Sequence, residues 1–280
     1  MILGVDYASI DKNETPNFEL AYKSGIRFAI MRGTYGMWVD PVRVHDLQNA
    51  NKLMTTGAYL FPVYTDDPVA EANAFADAVG PSKPGSFPPI LDIEFPGGIL
   101  ATNKTPKQAV DWLTQLGLQL HKRYGALMLY TSGRVWHEDL QDAISVFFSQ
   151  CPLWLARYNF KTRDEAHFTD KVLPGVVPPQ LGDSDDYWIH QFQGDAVHCP
   201  GFSSTVDLNL FRILRLGTRG SRVSWLMDRL GMPRSKIEKE NVFDAQVEKV
   251  IKEYQESHNL TIDGIVGPVT FSHVCWENPT

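Results

Sequence analysis

Short apolar runs alternate along this chain with longer stretches that are apolar at helical spacing. The runs at 2–5, 28–31, 57–61 and 90–93 predict strands, as do 127–131, 153–156, 187–191 and 205–208. Between them, 18–24 reads as a helix closed by Gly25, 40–54 as a helix with Val44, Leu47 and Ala50 on one face, and 68–79 as an alanine-rich helix. Residues 32–36 read as the loop after the second strand. A long helix opens at Thr105-Pro106, an N-cap followed by proline at the first helical position, and carries Val110, Leu113, Leu116 and Leu120 as its apolar stripe. From 157 to 186 there is no clean helical period. The pattern is one of about eight strands with helices after only the first five. It predicts an α/β fold closed as a modified (β/α) TIM-like barrel with five β/α units and three further strands.

The strand pattern stops after 211–214. Three short helices are predicted beyond it, at 223–230, 244–257 and 268–276. The middle one carries Val247, Val250, Ile251 and Tyr254 at helical spacing, and the turn 263–268 ends with proline at a helix start. About 60 residues with one amphipathic core predict a small all-α three-helix domain, close to the lower size limit for independent folding. The expected division is a barrel over 1–215 and an appended helical module over 216–280.

Candidate chemistry centres on Leu91-Asp92-Ile93-Glu94, fenced by Pro88-Pro89 and Pro96. On an extended segment Asp92 and Glu94 share a face, their Cα atoms roughly 6.6 Å apart. Like charges that close in a partly apolar setting raise at least one pKa, and a carboxyl group kept protonated near neutrality can act as a general acid. A solvated acidic strand end would explain this pair alone. Asp6 and Asp207, however, stand at the ends of two other strands, and in such barrels the C-terminal strand ends carry the catalytic groups. Three strands delivering acids to one rim outweigh the solvated reading.

A net charge of −7 and a pI near 5.6 give no electrostatic case for nucleic acid or an anionic membrane as partner. From Arg219 onward 8 Lys/Arg face 9 Asp/Glu, so the excess acid belongs to the barrel. The 3 cysteines include no C-x-x-C and the 8 histidines no ligand spacing, so neither a disulfide framework, a metal nor another cofactor is expected. No apolar run is long enough to span a membrane, and the first residues lack the basic start of a signal peptide.

Eight motifs in order carry a family resemblance: Gly4-Val5-Asp6, Lys23-Ser24-Gly25-Ile26-Arg27-Phe28, Gly57-Ala58-Tyr59-Leu60-Phe61, Leu91-Asp92-Ile93-Glu94, Leu129-Tyr130-Thr131, Leu153-Trp154-Leu155-Ala156-Arg157-Tyr158, Trp188-Ile189-His190-Gln191 and Val206-Asp207-Leu208-Asn209. Together they resemble family 25 glycoside hydrolases, the muramidase group of lysozymes. Tyr7 and Gly33 depart from the family's usual residues at the substrate rim. The tail, above all Leu260-Thr261-Ile262-Asp263-Gly264-Ile265-Val266-Gly267-Pro268, is similar to the small peptidoglycan-binding domain of cell-wall enzymes. Together the two resemblances imply a phage endolysin, with a bacterial autolysin exported by an unusual route as the lesser alternative. The endolysin is made in the host cytoplasm, depends only indirectly on a holin-type membrane lesion for release, and acts on bacterial peptidoglycan.

On that resemblance the substrate bond is the β-1,4 link between N-acetylmuramic acid and N-acetylglucosamine. Glu94 is expected as general acid. Asp92 is expected either as nucleophile or as support for the substrate's own acetamido oxygen, and Asp6 and Asp207 as positioning groups. Tyr59, Phe61, Tyr130, Trp154 and Tyr158 are candidate sugar platforms, for each of which core packing is the competing explanation. Gln191 is a candidate substrate ligand. Arg32 is expected either to bind an acidic group of the muramic sugar or to pair with a rim acid. The alternative to an enzyme is a non-catalytic wall-binding protein on a barrel scaffold, for which four converging carboxylates have no use.

Overall fold

The computed structural model describes residues 1–8, 15–40, 43–81, 83–143, 145–158, 187–196, 199–232 and 241–277. The aperiodic stretch expected at 157–186 lies, from 159 on, outside them. Among the described residues the strands are β1 (Ile2–Tyr7), β2 (Phe28–Tyr35), β3 (Trp38–Val39), β4 (Thr55–Phe61), β5 (Ile90–Asp92), β6 (Met128–Ser132), β7 (Leu153–Ala156), β8 (Tyr187–Ala196) and β9 (Val206–Phe211). Their order is β1-β9-β8-β7-β6-β5-β4-β2-β3, and β1 also pairs with β2, which closes eight of them into a barrel and leaves β3 outside. Only β9 among the barrel strands runs antiparallel to its neighbours.

The first five units carry helices: α1 (Phe18–Lys23), α2 (Arg43–Ala50), α3 (Pro68–Val79), α4 (Pro106–Tyr124) and the single turn α5 (Val146–Ser149). Local chemistry fixes their starts. Asp67 caps α3 by accepting from the Ala70 amide at 2.7 Å, and Thr105 and Gln108 form a reciprocal capping box on α4, which ends at Gly125 in the left-handed region. Helix α2 is shorter than the expected 40–54, and residues 51–54 turn back toward β4.

Alternation along the strands sorts the core into layers. Ile30, Tyr59, Ile90, Met128, Tyr130 and Trp154 face the barrel interior. Their neighbours in sequence point outward: Leu60, Leu91 and Leu129 against α3 and α4, and Val5, Ala29 and Met31 against α1 and α2. A Cβ on Gly4 would overlap the Phe28 ring that fills the interior below Asp6.

Two expectations need correction. Residues 32–36 are not a loop. Strand β2 runs on to Tyr35, with a bulge between Arg32 and Thr34, and returns through β3. The tail is not merely appended. Its helices α6 (Ser221–Arg229), α7 (Ala245–Ser257) and α8 (Pro268–Val274) share one apolar cluster with the barrel end opposite the acids. Phe271 packs on Phe87, Trp188 and Phe211, with ring centroids 6.0, 4.4 and 5.4 Å away. Leu214 and Val266 exchange backbone hydrogen bonds of 3.1 and 2.9 Å, and the Trp276 indole donates to the Ser86 carbonyl at 3.0 Å. A small helical unit with a thin core of its own gains most by burying its apolar face on the barrel floor.

Candidate active site

The layering decides where the acids go. Asp92 has the parity of Ile90, and Asp6 that of Gly4, so both face inward at the C-terminal ends of parallel strands. Asp207 is the second residue of the antiparallel β9, which brings it to the same end, directly opposite Asp6 in register. Glu94 lies two residues past Asp92 and beyond the end of β5, not within a strand as its alternation with Asp92 predicts. Backbone pairing still guides it there: the Ile93 amide donates to the Tyr130 carbonyl at 2.8 Å, Thr131 Oγ1 to the Ile93 carbonyl at 3.0 Å, and the Tyr64 hydroxyl to the Glu94 carbonyl at 3.0 Å.

Gln191 ties the acids together. Its Nε2 donates to Asp6 Oδ1 at 2.8 Å and to Asp207 Oδ2 at 3.1 Å, while its Oε1 accepts from the Tyr130 and Tyr158 hydroxyls at 2.7 and 2.9 Å. It is 1% exposed, so all of its amide serves this network. Asn209 completes it by donating to Asp6 Oδ1 at 2.6 Å and accepting from the Trp154 indole at 2.8 Å. Asn209 belongs to the Val206-Asp207-Leu208-Asn209 motif and is not among the expected site residues. The signal was available, since Asn209 shares the inward parity of Asp207.

Electrostatics differ among the acids. Burial, then Glu94 and Asp6, push the Asp92 carboxyl well above the ordinary carboxylate range against the pull of the Arg32 guanidinium. Asp6 is raised by burial and by Asp207, and the donors Asn209 and Gln191 oppose the shift. Glu94 is raised by burial and held back by the Tyr130 hydroxyl and the Arg134 guanidinium. Asp92 is 5% exposed, and its Oδ1 has no hydrogen-bond partner among the described residues. Glu94 is half-buried and lines a cleft of about 760 Å³ shared with Phe95, Arg134, His137, Arg157 and Tyr158. A carboxyl whose pKa is raised, on an open wall beside a buried acid, is equipped to give a proton to a bound leaving group.

The candidate platforms separate by burial. Trp154 is 1% exposed and packs on Tyr130 at 4.4 Å, and Tyr59 and Tyr130 are also largely buried in the interior cluster, so among the described residues these three are packed as core and present little surface to a sugar. Tyr158 is 56% exposed on the cleft wall, and Phe61 is half-buried beneath Tyr35. Arg32 pairs with Asp40 at 3.2 Å, an acid absent from the expected set. Among the described residues no group of three or more His, Cys, Asp or Glu is arranged to hold a metal ion, and no helix is long and apolar enough to cross a membrane.

Glycosyl hydrolases family 25 matches residues 5–196, and a putative peptidoglycan binding domain matches residues 222–273. No curated protein matches the chain at a significant level. Among solved structures, a family GH25 lysozyme from Aspergillus fumigatus is similar at 25% identity and a TM-score of 0.60, over 75% of this chain and 93% of that one. A family 25 glycosyl hydrolase from Bacillus anthracis is similar in fold at 24% identity and a TM-score of 0.59, over 75% of this chain and 88% of that one. The CTP1L endolysin shares the fold at 19% identity and a TM-score of 0.55, over 86% of this chain and 85% of that one. The family match spans every barrel strand that brings acids to the rim except β9, so the chain belongs to glycosyl hydrolases family 25 and is a glycoside hydrolase of the muramidase type.

Proposed function

We propose that the enzyme cleaves the β-1,4 bond between N-acetylmuramic acid and N-acetylglucosamine in bacterial peptidoglycan, with Glu94 as the general acid. The observation that carries this role is the contrast in access between Glu94, half-buried on the cleft wall, and Asp92, which is 5% exposed. Glu94 protonates the leaving oxygen as the glycosidic bond breaks. Asp92 accepts the N–H of the substrate's acetamido group, so that the acetamido oxygen attacks the anomeric carbon and water then opens the resulting ring. A recessed carboxyl group suits an orienting role better than one that must reach the anomeric carbon in line. Asp6 and Asp207, joined through Gln191, position the Tyr130 and Tyr158 hydroxyls around the pair.

The boundary near 215/216 and a wall-binding role for 216–280 belong to the same proposal, supported by the peptidoglycan-binding match over 222–273. A lytic role like that named for the CTP1L endolysin follows from joining a wall-cleaving barrel to such a unit. The test is chemical. Purified walls treated with the protein should gain reducing ends and no free amines, and Glu94→Gln should lose on the order of 10²–10⁴ in rate with folding intact. A Glu94→Gln variant keeping more than about a tenth of wild-type turnover would remove that residue from the role. A glycosyl group trapped on Asp92 would replace substrate assistance by a covalent route.

A further inference from the structure

One feature of the barrel rim has no part in the network around Gln191. Strand β2 outruns the barrel and folds back through Gly36-Met37 into β3, so that Thr34 pairs with Val39 and Tyr35 with Trp38. Tyr35, Met37, Trp38 and Val39 are 45, 52, 52 and 41% exposed, an apolar patch on a two-stranded arm at the edge of the sheet. Solvated aromatics on a short edge invite association unless they have an occupant.

The bulge at Gly33 determines which way this arm faces. Without it Tyr35 would have the outward parity of Gly33. With it, Arg32 sits opposite Tyr59 and Tyr35 opposite Phe61, so both take the interior-facing side. A Cβ on Gly33 would come within 2.6 Å of the Phe75 ring, so glycine is what lets the bulge sit on α3. Trp38, opposite Tyr35, lies on the same side of the hairpin. The inner face of the barrel thus continues above its mouth as an aromatic ledge. Tyr35 stacks on Phe61 at 5.1 Å with planes 6° apart, and the Arg32 guanidinium lies 5.7 Å over the Trp38 ring while its charge acts on Asp92. In strand order the ledge rises from β2 and β4, on one side of the catalytic β5, and the cleft bearing Tyr158 lies over β6 and β7 on the other.

We propose that this hairpin is a remote glycan subsite, in which the exposed face of Trp38, flanked by Tyr35, stacks against a pyranose ring of the same glycan strand beyond the rings at the scissile bond. The proposal rests on the muramidase reading. The Arg32 guanidinium beside Trp38 is already paired with Asp40, so what the hairpin offers a ligand is chiefly exposed aromatic surface, which suits the apolar face of a neutral sugar better than a charged stem peptide. Continuity with Asp92 through Arg32 places that sugar on the polymer being cut rather than on a separate ligand.

The test compares wild type with Trp38→Ala and Trp38→Phe in the full chain, on peptide-free glycan strands of long and of minimal cleavable length, read as new reducing ends. For Trp38→Ala the ratio of kcat/KM on long strands to that on short ones should fall on the order of 5- to 10-fold, through KM, with Trp38→Phe recovering most of it. Trp38→Leu keeps the apolar bulk without a flat face and should behave like Trp38→Ala. This provides a second reading should Trp38→Ala fold poorly. An unchanged ratio, or equal loss on both lengths, overturns the ledge while leaving the muramidase reading intact. A wild-type protein that releases no reducing ends from either strand sinks both. Retention on phosphatidylglycerol vesicles that depends on Trp38, with an unchanged glycan ratio, would assign the hairpin to a membrane surface instead.

Discussion

Phe271→Ala tests whether the helical tail is part of the barrel's own stability. Phe271 is fully buried, with ring centroids 6.0 Å from Phe87, 4.4 Å from Trp188, 5.4 Å from Phe211 and 5.6 Å from Trp225, so it touches three barrel residues and one of α6. Truncating a phenylalanine in such a setting costs about 3–5 kcal/mol, from lost transfer energy and from the cavity left between rings that cannot collapse together. For a unit of this size each 1 kcal/mol lowers the midpoint by roughly 2–4 °C, so the shift should be about 6–20 °C. The assay is calorimetry alongside the temperature at which hydrolysis of soluble glycan strands is irreversibly lost. If barrel and tail unfold as one unit, a single transition and the loss of activity move down together. Removing everything after Thr218 should then expose Phe87, Trp188 and Phe211 and give a barrel that aggregates. Two separate transitions with the barrel's own unmoved, or a soluble and fully active 1–218 fragment, would refute the shared core and restore an appended module.

Two further predictions concern titration. Arg134 holds the Glu94 pKa down. An acid catalyst is lost as pH rises through its pKa, so Arg134→Gln should move the basic limb of kcat to higher pH, and a shift to lower pH would contradict the assignment of Glu94 as donor. Glu71 is buried, accepts the Val63 amide at 3.1 and 3.2 Å, and burial raises its carboxyl to about 8. The unfolded chain releases this proton near pH 4.5 and the folded one near 8, so this group costs stability increasingly as pH rises from 4.5 to 8 and then levels off. Glu71→Gln should remove a slope of up to about 1.4 kcal/mol per pH unit from the unfolding free energy measured by denaturant titration across that range, and equal slopes in both proteins would show that Glu71 is ionised when folded.

Local patterns in the sequence determine much of this protein. Period-two runs fixed which strand residues face inward, and with them the rim positions of Asp6, Asp92 and Asp207. Thr105-Pro106 and Asp67-Pro68 fixed helix starts because capping is satisfied within a single turn. What the chain alone leaves open depends on partners far apart in sequence. Gln191 and Asn209 reach Asp6 across 185 and 203 residues, and no local pattern says that an amide, rather than the substrate, will occupy those carboxylates. Trp154 reads equally as platform or core until Tyr130 and Asn209 close around it. The bulge at Gly33 reverses the parity of everything after it, so the direction of Tyr35 and Trp38 emerges only when β2 pairs with β4. The tail's amphipathic helices show that an apolar face must be buried, but only tertiary packing decides that it covers the barrel floor, because hydrophobic burial is non-directional and takes whichever apolar surface is within reach.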